Sequence, residues 1–181
     1  MLPPGHIAGA YLTTSAILIL THPAVLPEQV MFLLLIGLFF GVAPDFDFFY
    51  GFAKTKSWTA SEDKFDHRKY LSHAPILWLI PAVFVFLFAS NPFWKEVGIL
   101  ILVGSWTHFI LDSIEAGIMW LWPFQTKRYA FLAHEGKYIT PEKRFFPFWI
   151  GFTRWYVTTF LTAKLEILLI LIGCGVWLMN R

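Results

Sequence analysis

Five stretches of this chain are apolar over nearly the length that a bilayer demands. A spanning helix needs about 20 mainly apolar residues, because the hydrocarbon core is roughly 30 Å thick and a helix rises ~1.5 Å per residue. The stretches are 6–22, 30–50, 73–90, 97–121 and 163–179. Hydrophobic residues fill 57% of the 181 positions and charged residues 14%, against about 45–50% and 25% in soluble domains. A disordered tail and an ordinary soluble domain are thereby excluded. The formal charge of +2 is too small for a nucleic-acid binder, so no nucleic-acid partner is expected and the lipid bilayer is. The single cysteine, Cys174, permits neither an intrachain disulfide nor a cysteine zinc cluster.

The expected fold is one all-α, polytopic membrane domain over 1–181, with about five transmembrane helices. A further apolar stretch, 145–160, carries Arg154 near its middle and is read as an interfacial helix, with spanning as the alternative. Short turns at 23–29 and 91–96 lie on one side of the membrane, and longer connections at 51–72 and 122–162 on the other. The longer side holds twelve of the 14 Lys and Arg: Lys54, Lys56, Lys64, Arg68, Lys69, Lys127, Arg128, Lys137, Lys143, Arg144, Arg154 and Lys164. By the positive-inside rule that side is cytoplasmic, giving a multi-pass protein of the cell's inner membrane with its N-terminus in the cytoplasm.

Polar residues recur where lipid should exclude them. A carboxylate at the centre of a spanning helix costs about 2.5–3.5 kcal/mol, so it usually faces a bundle interior or a watery cavity. His108, Asp112 and Glu115 fall at i, i+4 and i+7 of one stretch, on one helical face. An imidazole and a carboxylate one turn apart can share a metal ion; alone, the pair also fits a buried hydrogen bond. Stretch 30–50 ends in Pro44, Asp45, Phe46 and Asp47. The proline interrupts the helix, and the two aspartates suit either a cation or a helix cap. His67, Arg68 and Ser72 stand just before the third stretch, which His73 opens. The histidines can converge if His67 lies in the loop. Arg68 offers a planar fork for phosphate or carboxylate, or simply sets topology. His6 opens the first stretch.

Alternation of the spans brings these groups to one membrane face, with His6, Asp45, Asp47, His67, His73, His108 and Asp112 at the cytoplasmic ends of four helices. A tension accompanies that placement. Trp120, read as an interface anchor, lies twelve residues beyond His108, or roughly 18 Å along a helix. His108 would then sit near mid-bilayer.

The order and spacing of these groups resemble the membrane-bound metal-dependent hydrolases, the YdjM-type family of LexA-regulated, inner-membrane-associated hydrolases. The strings that carry the resemblance are His6; Pro44, Asp45 and Asp47; His67, Arg68, Ser72 and His73; and His108 and Asp112 followed by Gly117, Pro123 and Phe124. They define a metal-site core of about 5–124. Residues 125–181 supply a cytoplasmic connection, the interfacial helix and the last span. The chain departs from the family pattern at Lys69, Tyr70 and Leu71, where Gly and Thr are usual, and at Glu115, where Thr is common. More distantly, the ligand order is similar to that of zinc-dependent phospholipase C and related nucleases, which implies a phosphoester substrate.

The expectation is hydrolysis of a membrane-associated or small-molecule phosphoester by water activated at a divalent metal. Imidazole and carboxylate ligands favour Zn²⁺ over Mg²⁺. Seven candidate ligands exceed the four of one tetrahedral zinc, so two ions or a partly outer-shell set is implied. Arg68 would hold the substrate anion, and Glu115 would shuttle a proton or orient a ligand, with a hydrogen bond within the bundle as the equal alternative. The rival readings are a metal or proton transporter and a non-enzymatic membrane scaffold or regulatory interaction protein.

Overall fold

The computed structural model describes residues 1–55, 67–132, 138, 140 and 144–179, apart from the side chains of Thr55 and His67. Among these residues the secondary structure is helical, with one isolated bridge between Ile118 and Tyr129. The α-helices are α1 (Pro3–Thr21), α2 (Pro27–Val42), α3 (Asp47–Thr55), α4 (Pro75–Phe88), α5 (Pro92–Asp112), α6 (Phe145–Thr159) and α7 (Leu161–Met179). Proline opens α1, α2, α4 and α5, where its fixed φ suits the first turn and its missing N–H removes a donor no helix uses. The Asn91 side chain also accepts from Phe93 N at 2.8 Å, capping α5.

Helix α5 packs against α1, α2 and α4, and α7 packs against α1. The apolar core is Leu33, Ala82, Val97, Leu100 and Ile101, contributed by α2, α4 and α5. Backbones meet closely at two glycines. A Cβ on Gly104 would lie 2.6 Å from the Gly37 carbonyl oxygen and 3.0 Å from Gly41 N; one on Gly98 would lie 2.7 Å from Phe86 N. Such approach suits helices in lipid, where dispersion and polar contacts rather than the hydrophobic effect hold them together. A Thr107–Thr13 hydroxyl hydrogen bond of 3.0 Å joins α5 to α1 in the same way.

Large apolar side chains face outward from the bundle: Phe32, Leu35 and Phe39 on α2, Phe84, Leu87 and Phe88 on α4, and Leu168 and Leu171 on α7. Two helical stretches, Pro27–Lys54 and Leu161–Met179, are long and apolar enough to cross a membrane. Of the other three expected spans, α4 is apolar but has 14 residues. Helix α5 has 21 residues but carries Lys95, Glu96, His108 and Asp112, and α1 has 19 with His6 and three threonines.

Two expected boundaries move. The stretch 97–121 stops being helix at Asp112. The chain then turns through Gly117 at φ 77°, a left-handed conformation that glycine adopts without Cβ strain, and Gly117 N returns to the Asp112 carbonyl at 2.9 Å. Trp120 folds back with it, donating Nε1–H to Ser113 Oγ at 2.8 Å and packing edge-on against Trp106. It does not mark a point 18 Å beyond His108, and the depth tension disappears. The stretch 30–50 breaks after Val42 because Pro44 has no N–H for the ladder. A 3-10 turn, Ala43–Phe46, redirects the chain into α3.

Candidate metal centre

Four helix ends deliver the polar side chains: the first turns of α1, the turn after α2, the turn before α4 and the last turns of α5. His73 Nε2, His108 Nε2 and Asp45 Oδ1 form a near-equilateral triangle, 3.4 Å between the nitrogens and 3.5 Å from each to the oxygen. Ligand atoms about 2.0–2.2 Å from a tetrahedral ion stand roughly 3.3–3.6 Å apart. Asp112 Oδ2 lies 3.9 and 3.8 Å from the same two nitrogens. His73, His108 and Asp112 are essentially inaccessible, whereas the Asp45 side chain retains 21% exposure.

The far nitrogens of both rings are engaged. His108 Nδ1 meets the Gly41 carbonyl at 2.9 Å. A carbonyl only accepts, so the proton sits on Nδ1 and Nε2 presents a lone pair. His73 Nδ1 donates to Asp47 Oδ2 at 3.0 Å, which Ser72 Oγ also bonds. The turn itself is pinned by Trp78 Nε1 on the Ser72 carbonyl at 2.8 Å. Two Nε2 atoms at 3.4 Å, beside two carboxylates, repel unless a cation lies between them, and their outer hydrogen bonds are those that orient metal-binding imidazoles. The donor set therefore fits a metal ion.

His73 sits in the turn ahead of α4. Burial disfavours its charged form, but the hydrogen bonds to Asp45 and Asp47 more than offset this and push the imidazole up to about 9. In the metal-free protein a proton takes the cation's place.

A second grouping, His6, His108 and Asp112, could also hold an ion. The His6 ring stacks on His108 with centroids 3.8 Å apart, and its Nε2 lies 3.3 Å from Asp112 Oδ1. Both His6 ring nitrogens are buried without a hydrogen-bond partner, unusual for a native polar group. His108 has one nitrogen to offer, so the two groupings cannot each use it for a separate ion. Asp112 is further tied by the Met1 ammonium on Oδ1 at 2.6 Å and by Arg68 Nε on Oδ2 at 2.8 Å.

Among the expected ligands, then, Asp45, His73, His108 and Asp112 converge, and His6 joins by stacking on the His108 ring. Asp47 stands one bond back, holding His73. His67 opens a short 3-10 turn, His67–Lys69, and its side chain lies outside the described residues. Arg68, 19% exposed at its side chain, flanks the cluster. Of the readings open for Glu115, the hydrogen bonds within the bundle are the ones seen. Its Oε1 accepts Leu161 N at 3.0 Å, and its Oε2 accepts Thr162 N at 2.8 Å and Thr162 Oγ1 at 2.6 Å. Both oxygens thus cap the N-terminus of α7, whose first backbone donors have no partner within the helix.

One supporting residue escaped the sequence reading. Glu166 of α7 accepts Gly5 N at 3.1 Å, Leu2 N at 3.2 Å and the Tyr156 hydroxyl at 3.0 Å. It caps α1 where Pro3 and Pro4 interrupt the donors. A carboxylate two residues after Lys164, at the head of a run that is apolar from 167 to 179, was the available signal.

No curated protein and no solved structure gives a significant match to this chain. The family model described as YdjM inner membrane protein matches residues 1–181, the whole length. On that match, in agreement with the resemblance carried by the His and Asp strings, the chain belongs to the YdjM inner membrane protein family.

Proposed function

We propose that this protein is a metal-dependent hydrolase of the inner membrane, cleaving a phosphoester at the cytoplasmic face. The triangle of Asp45 Oδ1, His73 Nε2 and His108 Nε2, with edges of 3.4–3.5 Å, carries this reading. It suits one Zn²⁺ held by three protein ligands with the fourth position left for water, and Asp112 and His6 adjoin it as a second grouping around His108. Bound there, Zn²⁺ supplies Lewis acidity toward a phosphoryl oxygen and toward the attacking water.

The chain's own residues do the rest. Asp47 and the Gly41 carbonyl hold the imidazole tautomers, so both Nε2 lone pairs stay directed inward. Arg68, pinned to Asp112 yet partly open, presents a planar cation beside the centre, suited to the equatorial oxygens of a phosphoester. Partial exposure of Asp45 and Arg68 makes their side the entrance. Glu115 and Glu166 brace α7 and α1 around the centre rather than moving protons.

In this reading α1, α2, α4, α5 and α7 are the five spans, with the N-terminus and the centre on the cytoplasmic side. The hydrogen bonds from Leu161 and Thr162 to Glu115 support it. They put the end of α5 and the start of α7 on one face, so α6 alone cannot cross between them. It lies along the interface instead.

Elemental analysis of detergent-purified protein beside His108→Ala and Asp45→Ala tests the proposal, paired with hydrolysis of bis(p-nitrophenyl) phosphate after metal reconstitution. About one ion per chain and metal-dependent hydrolysis are expected in the parent, with both lost in each variant. Unchanged metal in both variants would remove these residues from the ligand set. Full metal without hydrolysis of any phosphoester would leave a metal site and end the enzyme reading.

A further inference from the structure

Several exposed apolar side chains stand close in the chain to Asp45 and Arg68, the partly open members of the centre. Phe46 follows Asp45 directly and is 48% exposed; Phe49 and Tyr50 on α3 are 65% and 55% exposed; Leu71, between Arg68 and His73, is 52% exposed. Phe46 touches Phe39 on one side, with ring centroids 5.6 Å apart, and Phe49 on the other at 6.2 Å. Phe39 belongs to the outward apolar face of α2. An aromatic path therefore runs from the outward face of α2 through Phe39 to Phe46, the residue next to Asp45, and on to Phe49 of α3. Helix α3 is short and amphipathic, opened by Asp47 and closed by the exposed Lys54, whose Nζ lies 6.0 Å over the Tyr50 ring. That composition suits a segment lying at headgroup depth.

A water-soluble substrate gains nothing from such side chains. A molecule with an anionic head beside Arg68 and an apolar chain along Phe46 and Phe49 uses both. We infer that the centre takes a membrane phospholipid entering sideways from the bilayer, its phosphate beside Arg68 and an acyl chain on the Phe39–Phe46–Phe49 path. This rests on the metal-dependent hydrolase reading for what happens to the lipid, but not for its binding.

The test uses the full-length protein in phosphatidylcholine vesicles containing phosphatidic acid with a diazirine at the end of one acyl chain. Photolabelling is mapped by peptide mass spectrometry. Labelling at residues 46–50 should exceed that at Leu168 and Leu171 of α7, which meet bulk lipid. Excess unlabelled phosphatidic acid should displace it; extra phosphatidylcholine or glycerol 3-phosphate should not. Phe46→Ser with Phe49→Ser should reduce it at least about fivefold while metal content per chain is retained, which shows that the variant is folded. Labelling no stronger than on α7, or insensitive to phosphatidic acid, would mean annular lipid only and would overturn the inference. Displacement by glycerol 3-phosphate would assign the site to a soluble phosphoester instead. Metal-dependent hydrolysis of bis(p-nitrophenyl) phosphate without specific labelling would sink this inference alone, and specific labelling of a protein that binds no metal would sink the hydrolase reading alone.

Discussion

Glu166 accepts the backbone N–H of Gly5 at 3.1 Å, so an acid of α7 holds the turn of α1 that carries His6. The same carboxylate takes Leu2 N, and Pro3 and Pro4 have no N–H to offer. Replacing Glu166 by Ala takes the acceptor from Leu2 N and leaves Gly5 N only the Leu2 carbonyl at 3.1 Å; a donor left unsatisfied away from water costs about 1–3 kcal/mol. Thermal unfolding in detergent should show a clearly lower midpoint for Glu166→Ala. Glu166→Gln keeps an acceptor oxygen and should recover most of the difference. Equal midpoints for Ala and parent would show that the cap contributes nothing.

The two groupings around His108 differ in which residue each can lose. His108→Ala removes the shared nitrogen and should abolish stoichiometric metal. His6→Ala leaves Asp45, His73 and His108 intact and should retain the ion with weaker affinity. Asp47→Ala frees the His73 ring without removing a ligand, and losses of roughly 10–100-fold in metal affinity are usual for such supporting partners. Competition titration with a chromophoric chelator separates the three outcomes. If His6→Ala loses metal as completely as His108→Ala, the ion belongs with His6 and Asp112 instead.

These residues also mark how far the sequence alone reaches. His108 and Asp112 are one helical turn apart, and helix geometry places them together before any fold is known. Asp45 and Asp47 read as equivalents, because their separate duties depend on the 3-10 turn after Pro44. That turn aims Asp45 at the two Nε2 atoms and leaves Asp47 behind His73. Glu115 shares a face with His108 by periodicity, yet the helix ends at Asp112 and the periodicity stops applying. Its partners, Leu161 and Thr162, are 46 and 47 residues away, beyond any local pattern. The apolar runs announced the helices, but not that α5 would end short of Trp120.

Metal binding should depend on pH through His73. Its imidazole is pushed up to about 9 from an ordinary 6.5, so below about pH 9 an incoming ion must displace a proton. Affinity should fall about tenfold per pH unit from 9 downward, and near pH 7 one proton should be released per ion. Calorimetric titration in two buffers of different ionisation enthalpy measures that number. The metal-free fold should follow the opposite trend. A histidine whose folded pKa exceeds its unfolded one stabilises fully below the unfolded value, and the contribution is lost as pH rises from 6.5 to 9. Metal-free protein should therefore melt higher at pH 6 than at pH 9. Release of no proton near pH 7 would contradict this account of His73.

Gly104 connects the packing to the chemistry, although no polar atom of its own reaches the centre. A Cβ there would stand 2.6 Å from the Gly37 carbonyl and 3.0 Å from Gly41 N, both backbone atoms that cannot rotate away. Gly104→Ala must push α2 from α5. Overpacking of this kind typically costs about 1–3 kcal/mol. The displacement also carries off the Gly41 carbonyl that holds His108 Nδ1 at 2.9 Å. The variant should therefore lose metal affinity as well as stability, even though His108 lies a full turn further along α5. Ser105→Ala, at the next position of α5, is the comparison. Its hydroxyl bonds only within its own helix, to the carbonyls of Ile101 and Leu102, so it should leave metal binding unchanged. Chelator competition on both variants, with melting in detergent alongside, decides the matter: intact metal affinity in a destabilised Gly104→Ala would show that the α2–α5 contact and the centre are independent.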